Sequence, residues 1–524
     1  MSRCYRITLL FFFGMLFLRL GYLTIVQGKY FRLQAEQNRV VEEKIVAARG
    51  TIFDRYGRPL AIDSPYCLYQ NQEKDWEECL RLKSSGKEIE QLFRRYYPLK
   101  ETAAHITGHL GEANQVETKT GQYQFGQLVG RSGVEEYYQA LLSGKDGYRL
   151  SEVNIKGEKV REVGEVGAQD GKSLTLFIDS RIQKKAFELL ADRPGAIVVS
   201  NPQNGEVLAL VSSPGFDPNL FTFEHSDEVI AQLLTDPAQP FLNRAISARF
   251  PPGSIFKLVV GLAALEEEVI DGKTKIEDVG VIKINDYQYA NWYYTQYGKT
   301  DKDVDIVEAI KRSNDIFFYR LGESLGGDKM ADWAKRFFLD SRLGIDLPAE
   351  ISGFVPTPQW KEEVLGEPWF LGNSFHFAIG QGDLAITPLA VNMITNFFAS
   401  SEGHFCRPRL ADNNSGSDCR EISSQEENRE LVFQGMAAAC RPGGTASVFF
   451  DFEVDDEIGQ VACKTGTAEF DIDNKKTHAW FTAFAPIEKP IISVTVFLQN
   501  GGGGAREAAP LAKIILEEFF TNWR

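Results

Sequence analysis

The chain has 524 residues, 25% of them charged and 43% hydrophobic, with a formal net charge of −15. This is ordinary globular usage and excludes disordered, collagenous and disulfide-scaffold classes for the bulk of the chain. The negative balance argues against nucleic acid as a partner, since that needs a basic face to neutralise phosphates.

The first element is an apolar run, residues 7–26, reading ITLLFFFGMLFLRLGYLTIV. Twenty helical residues rise ~30 Å, the thickness of a bilayer core. Arg19 would cost about 2.5–3.5 kcal/mol at the centre of a span, but it lies past the middle and can snorkel outward. The alternatives are a cleaved signal peptide and a buried core helix. Cleavage needs small residues, and Gln27-Gly28-Lys29-Tyr30 follows instead. The run therefore reads as an uncleaved anchor after a six-residue tail. Arg3 and Arg6 precede it and Lys29, Arg32 and Arg39 follow, so charge orients it only weakly.

Residues 27–48 are polar and read as a helix-compatible stalk. A mixed region with many glycine turns runs on to about residue 168. Ser173–Asp179 is predicted as a strand leading into a helix at 181–190. Residues 195–211 hold two apolar strands around an N-P-Q-N-G turn, a hairpin by its turn chemistry. Residues 479–485 and 491–498 read as neighbouring antiparallel strands, and 508–520 as a closing amphipathic helix. Strands at both ends of a helical middle predict an α+β domain whose sheet is assembled from the two ends of the segment. Hydrophilic residues 412–429 read as a surface loop.

The seven cysteines (Cys4, Cys67, Cys79, Cys406, Cys419, Cys440, Cys463) are scattered and odd in number, without C-x-x-C. They are expected to be mostly free, buried thiols, with pairing among Cys406, Cys419 and Cys440 the alternative. No metal or cofactor motif is found.

Three short motifs carry chemistry. Pro251-Pro252-Gly253-Ser254-Ile255-Phe256-Lys257 precedes an apolar helical run. Ser254 is expected to start the helix, with Lys257 one turn on and on the same face. A buried lysine with a lowered pKa can take the proton from a serine hydroxyl, activating it without histidine. Ser313-Asn314-Asp315 forms a turn before an aromatic-rich helix. Lys464-Thr465-Gly466-Thr467 reads as a strand. Alternation puts Lys464 and Gly466 on one face and Thr465 and Thr467 on the other. Gly466 allows close approach of a substrate backbone, and the hydroxyls can bind a carboxylate. Each motif alone is weak, because Ser84-Ser85-Gly86-Lys87 and Lys119-Thr120-Gly121 repeat two of them in polar surroundings.

In order and context these motifs match the S-x-x-K, S-D-N and K-T-G set of penicillin-binding proteins. The chain resembles a class B penicillin-binding protein over nearly its whole length. Supporting matches include residues 49–61 (RGTIFDRYGRPLA), Phe216-Asp217-Pro218-Asn219, Gly380-Gln381-Gly382 and His478-Ala479-Trp480-Phe481. The S-x-D form, the H-A-W-F strand and the Gly501–Gly504 turn resemble the elongation-specific penicillin-binding protein 2 group. Two departures are Cys463 before Lys464 and the absence of a Gly/His pattern between Tyr289 and Asp305.

The resemblance implies a cytoplasmic tail (1–6), a transmembrane helix (7–26), a stalk and pedestal of dimerisation type (27–168) and a transpeptidase domain (169–524). It implies serine acyl transfer on peptidoglycan stem peptides ending in D-Ala-D-Ala, in cell-wall elongation and shape maintenance, with β-lactams as covalent inhibitors. Ser254 would be the nucleophile, Lys257 its base and Ser313 a proton relay. Lys464 would support Ser313 electrostatically, and Asp315 would hold the cleft's hydrogen-bond network. Thr465, Gly466 and Thr467 would bind substrate, and the backbone N–H groups of Ser254 and Thr467 would form the oxyanion hole. No cofactor is implied. The implied partners are a SEDS-family glycosyltransferase and other elongation-complex membrane proteins. The implied place is the bacterial inner membrane, with the catalytic domain outside the cytoplasm. Alternatives are a septal, division-type transpeptidase, a β-lactam sensor or silent scaffold, and a hydrolase. The hydrolase is disfavoured by the lack of an E-x-x-L-N-like motif.

Overall fold

The computed structural model describes residues 3–37, 40–87, 89–154, 159–222, 226–400, 402–412, 416–454, 457–471 and 476–523. Arg39 and part of the expected surface loop, 413–415, lie outside the described residues. The apolar run forms helix α1 (Arg3–Gly21) and a continuing wider turn, Tyr22–Val26. Together Tyr5–Val26 gives 22 residues long and apolar enough to cross a membrane, with none of the span buried in protein. A helix apolar on every side and bare of protein fits a membrane anchor.

The next segment corrects the expected helical stalk. Gly28–Gln37 is helical, but Val40–Ile45 is a strand. Its β-branched residues pair antiparallel with Gly147–Val153, which pairs in turn with Lys159–Val166. This sheet belongs to the smaller of two compact units, made of Met1–Gly50, Asp63–Arg94 and Leu141–Lys172.

The larger unit comprises Thr51–Ile62, Arg95–Ala140 and Ser173–Arg524, so the division does not follow chain order. Residues 95–140 join it through buried polar contacts. Arg95 Nε donates to Glu135 Oε1 at 2.7 Å with both side chains at most 1% exposed. Asn219, from the F-D-P-N motif, accepts from the Tyr97 backbone N–H at 2.9 Å and donates back to its carbonyl at 3.0 Å. The Tyr138 hydroxyl donates to buried Asp346 at 2.6 Å. The 49–61 motif makes a tight turn in which the buried Asp54 carboxylate accepts from the backbones of Tyr56 and Arg58 and from Ser180 Oγ.

The core of this unit is a sheet of β1 (Gly195–Ser200), β2 (Val207–Ser213), β3 (Ala462–Asp471), β4 (Lys476–Ala485) and β5 (Ile492–Leu498), in the order β2-β1-β5-β4-β3. Every pairing is antiparallel, and β1 lies against β5, so the two ends of the segment do build one sheet. Its helices include α2 (Ser180–Leu190), α3 (Lys257–Glu266), α4 (Asp315–Arg336, broken at Gly326), α5 (Pro388–Ala399), α6 (Glu426–Ala439) and α7 (Ala509–Glu518). One sheet face is apolar: Val199, Phe481 and Val494 share a core with Ile182 of α2 and Ile515 of α7. The other carries Ser200, Thr482, Ser493 and Thr495, all fully buried, hydrogen-bonded to Asn392, Thr395 and Asn396 of α5.

Three local expectations change. Of Ser173–Asp179 only Leu174–Thr175 is a strand, parallel to Ile52–Phe53; the chain then turns so that Asp179 caps α2 by accepting from Arg181 N–H. The predicted 412–429 loop contains the strand Cys419–Glu421 and the start of α6. The cysteines are not mostly free: Cys67 pairs with Cys79, Cys406 with Cys419 and Cys440 with Cys463. Cys406 and Cys419 face each other across an antiparallel register. The odd count misled because Cys4, before the apolar run, leaves an even six further along the chain.

Candidate active site

Ser254 does not cap the helix as its sequence context predicts. It sits in a 3-10 turn, Gly253–Ile255, running directly into α3, whose first residue is Lys257. A first-turn N–H has no partner within its own helix, so the Ser254 amide is available. The turn is held by glycines. Gly253 has φ +56°, and a Cβ there would stand 2.9 Å from the Thr467 carbonyl. A Cβ on Gly380 would collide with the Gly253 carbonyl, whose N–H in turn donates to the Gly380 carbonyl at 2.9 Å. Gly504 packs equally closely on the carbonyls of Gly466 and Trp480, and its N–H donates to Thr467 Oγ1 at 3.2 Å. The G-Q-G and Gly501–Gly504 segments, which sequence reading takes only as family markers, thus press the serine turn against β3.

The second motif joins two helices. Ser313 ends Ile306–Arg312 in the left-handed region, φ +55°, and Asn314 caps α4 by accepting from Phe317 N–H. A side chain rarely adopts that backbone without support. Here the support is dense. Asn314 Nδ2 donates to Asp278 Oδ2 at 2.9 Å and to Asp301 Oδ2 at 3.1 Å. Asn291 donates to Asp278 Oδ2 at 2.7 Å and accepts from Asp315 N–H. Sequence reading missed Asp278, Asn291 and Asp301, because nothing in their spacing links them to the motif.

Two lysines, both fully buried, converge on Ser313. Lys464 Nζ donates to Ser313 Oγ at 2.9 Å and to the Thr465 carbonyl at 2.9 Å. Lys257 Nζ donates to the Ser313 carbonyl at 2.9 Å and lies 3.4 Å from its Oγ. Asp315 Oδ1 accepts from Lys257 at 2.6 Å, and Oδ2 from Trp292 N–H at 2.9 Å. Asp315 thus pairs directly with Lys257, while Lys464 bonds Ser313 and the Thr465 carbonyl. Burial pushes the Lys257 pKa down, opposed by Asp315. Burial, and then the Lys257 charge, push Lys464 well down.

Lys257, Ser313, Asp315 and Lys464 therefore form one hydrogen-bonded cluster. Ser254 Oγ has no hydrogen-bond partner among the described residues, so the serine–lysine contact expected from sequence is not made in this state. The alternation predicted for β3 holds: a Cβ on Gly466 would meet Pro252 and Ile255, on the side of the serine turn. Thr465 Oγ1 donates to Thr445 Oγ1 at 2.9 Å, a neighbour not foreseen. β3 is an edge strand, so its outer backbone groups remain open to an extended ligand. The repeated motifs at 84–87 and 119–121 lie exposed at the ends of short helices, far in sequence from this cleft. Among the described residues no cluster of His, Cys, Asp and Glu is arranged to hold a metal ion.

An antiparallel sheet with a serine turn, an S-x-D loop and a K-T-G edge strand meeting in one cleft defines the penicillin-recognising serine acyltransferase class. Comparison with known families agrees. Residues 195–517 match the penicillin binding protein transpeptidase domain, and 71–176 match the penicillin-binding protein dimerisation domain. The chain belongs to the penicillin-binding protein transpeptidase family, and its two domains make it a class B member. It is 30% identical to the peptidoglycan D,D-transpeptidase MrdA of Haemophilus influenzae, over 98% of this chain and 90% of that one. The structure of a complex between penicillin-binding protein PBP2 and MreC from Helicobacter pylori superposes with a TM-score of 0.81 at 27% identity, covering 93% of this chain and 99% of that one. A chain of a peptidoglycan synthase complex, solved for the coordination of polymerization and crosslinking, gives 0.81 at 27% identity, covering 99% of both.

Proposed function

We propose that the protein is a peptidoglycan D,D-transpeptidase of cell-wall elongation. The observation that carries this reading is the convergence of two buried lysines on Ser313 beside the Ser254 turn, in a chain similar to MrdA along its length. Ser254 attacks the penultimate D-Ala carbonyl of a stem peptide. Lys257, its amine made acidic by burial, takes the hydroxyl proton once the Ser254 side chain turns toward it. The oxyanion is held by the N–H groups of Ser254 and Thr467, whose backbones meet at Gly253; such donors are commonly worth ~2.7–4 kcal/mol. Ser313 passes a proton to the departing D-Ala amine, with Lys464 as its hydrogen-bonded partner and Asp315 fixing Lys257. Thr465 and Thr467 hold the D-Ala carboxylate. The amine of a second stem peptide then attacks the acyl-enzyme, forming the crosslink and releasing Ser254. β-Lactams acylate the same serine.

The family setting extends the reading. The apolar helix anchors residues 27–524 outside the cytoplasm, with a pedestal at 27–168 and the transpeptidase domain from 169. A SEDS-family glycosyltransferase and elongation-complex proteins of the MreC kind are its partners, as similar proteins are found with MreC and in a synthase complex. The test is labelling by a fluorescent penicillin. Wild type is expected to label and Ser254→Ala to lose labelling by at least ~10³-fold. Equal labelling would overturn the nucleophile assignment. D-Ala release that rises with added acceptor amine separates transpeptidase from hydrolase.

A further inference from the structure

Resting on that reading, the segment between the first two motifs acquires a task. Asp278, 3% exposed, accepts four hydrogen bonds. Gly280 N–H donates to its Oδ1 at 2.8 Å. Its Oδ2 accepts from Asn291 Nδ2 at 2.7 Å, from Asn314 Nδ2 at 2.9 Å and from Asp301 N–H at 2.9 Å. All four donors are neutral amides. Burying a carboxylate among neutral donors is costly, so packing alone does not account for it.

An asparagine amide has a donor end and an acceptor end, whereas a carboxylate only accepts. Asp278 therefore turns the NH2 ends of Asn291 and Asn314, both fully buried, toward itself and their oxygens away. The Asn291 oxygen accepts from Asp315 N–H at 3.2 Å, and the Asn314 oxygen from Phe317 N–H at 2.9 Å. Both are first-turn donors of α4, which have no partner inside their own helix. A reversed amide would set N–H against N–H at either place. Asp301 takes a share of Asn314 Nδ2 at 3.1 Å, but Asp278 is where the two amides meet. We propose that Asp278 is a positioning residue for the acyl transfer. By fixing the polarity of two buried amides it holds the S-x-D loop, with Ser313 at φ +55°. That conformation presents the Ser313 hydroxyl to Lys464 and the Asp315 carboxylate to Lys257. The influence of Asp278 on the chemistry runs through Asn291 and Asn314.

The test is single-turnover acylation of the full chain in detergent by benzylpenicillin. Its concentration dependence separates the dissociation constant of the first complex from the acylation rate constant at saturation. The rate constant is read on the sites that label, so unfolded chains do not enter it. Asp278→Asn keeps the shape but offers a donor where an acceptor stood. Its acylation rate constant should fall by about 10²-fold, with the dissociation constant changed less than about threefold. Asn291→Ala removes one of the two amides and keeps the carboxylate, and should lose about tenfold in the same rate constant. Asn392→Leu, in the network that packs α5 on the central sheet, should lower the unfolding midpoint and leave the acylation rate constant as in wild type. It marks what a loss of stability alone does. An unchanged rate constant in Asp278→Asn or in Asn291→Ala, a loss confined to the dissociation constant, or a matching fall in Asn392→Leu would overturn the positioning role. If wild type acylates and the variants keep its rate, that role is wrong and the transpeptidase reading stands. If wild type does not acylate, both fall.

Discussion

Asp315 is the carboxylate paired with buried Lys257, and its removal separates two effects. Its charge holds the Lys257 pKa up against burial. Without it the amine loses its proton more easily. With Lys257 as the proposed general base, which works in its neutral form, acylation rises with pH through the Lys257 pKa. Asp315→Asn should therefore move the acidic limb of the penicillin-acylation profile to lower pH. Its maximal rate should fall by about 10²-fold as the 2.6 Å anchor on Lys257 weakens. A limb that stays in place or moves to higher pH, measured by stopped-flow acylation, would contradict the charge assignment. At this scale much was legible beforehand. Lys257, Ser313, Asp315 and Lys464 meet in one hydrogen-bonded cluster, though Ser254 Oγ stays outside it, because S-x-x-K and K-T-G each sit on a periodic apolar element that the sequence declares. Asp278, Asn291, Asp301 and Thr445 were not legible. Their role is to satisfy buried polar groups contributed by distant segments, and a local pattern carries no record of that.

Among elements, the packing of α5 on the central sheet departs from a simple apolar sandwich. Ser200 Oγ donates to Asn392 Oδ1 at 2.6 Å, and Asn392 Nδ2 donates to Ser493 and Thr495 at 3.2 Å each. Thr395 and Thr482 share a 2.6 Å bond. The strands alternate so that Val494 and Val496 face one core and Ser493 and Thr495 the other. The hairpin and the terminal strands could be foreseen from apolar runs and turn chemistry. The polar face could not, since buried hydroxyls look like solvent-facing residues in an alternating pattern. Asn392→Leu leaves several buried hydroxyls short of partners and should destabilise by about 2–4 kcal/mol. Denaturant unfolding of the full chain in detergent would show it as a lower midpoint. An unchanged midpoint would mean the network contributes little net stability.

For the whole molecule, buried imidazoles link stability to acidity. His478, 4% exposed, accepts from Asn500 N–H and stacks on Phe470, and burial lowers its pKa from 6.5 to about 4. The unfolded chain takes up the proton first as pH falls. This stabilisation is thus complete above pH 6.5 and is lost between about 6.5 and 4, amounting to ~3 kcal/mol at most. His105 and His109, also lowered to about 4 by burial, act with the same sign. The melting temperature should fall steeply from pH 7 to pH 4.5, and His478→Gln should flatten the slope; a variant as acid-sensitive as wild type would remove His478 from the account. The cysteines speak at this same scale. Six are joined in pairs downstream of the anchor, and the seventh, Cys4, stands upstream of it. One pair, Cys440–Cys463, ties the end of α6 to the residue before Lys464. Under the proposed orientation, a chain threaded through the membrane the other way would keep those six thiols in a reducing compartment and could not close its loops. Misinsertion and misfolding would then be one event, because the same three bonds report on both.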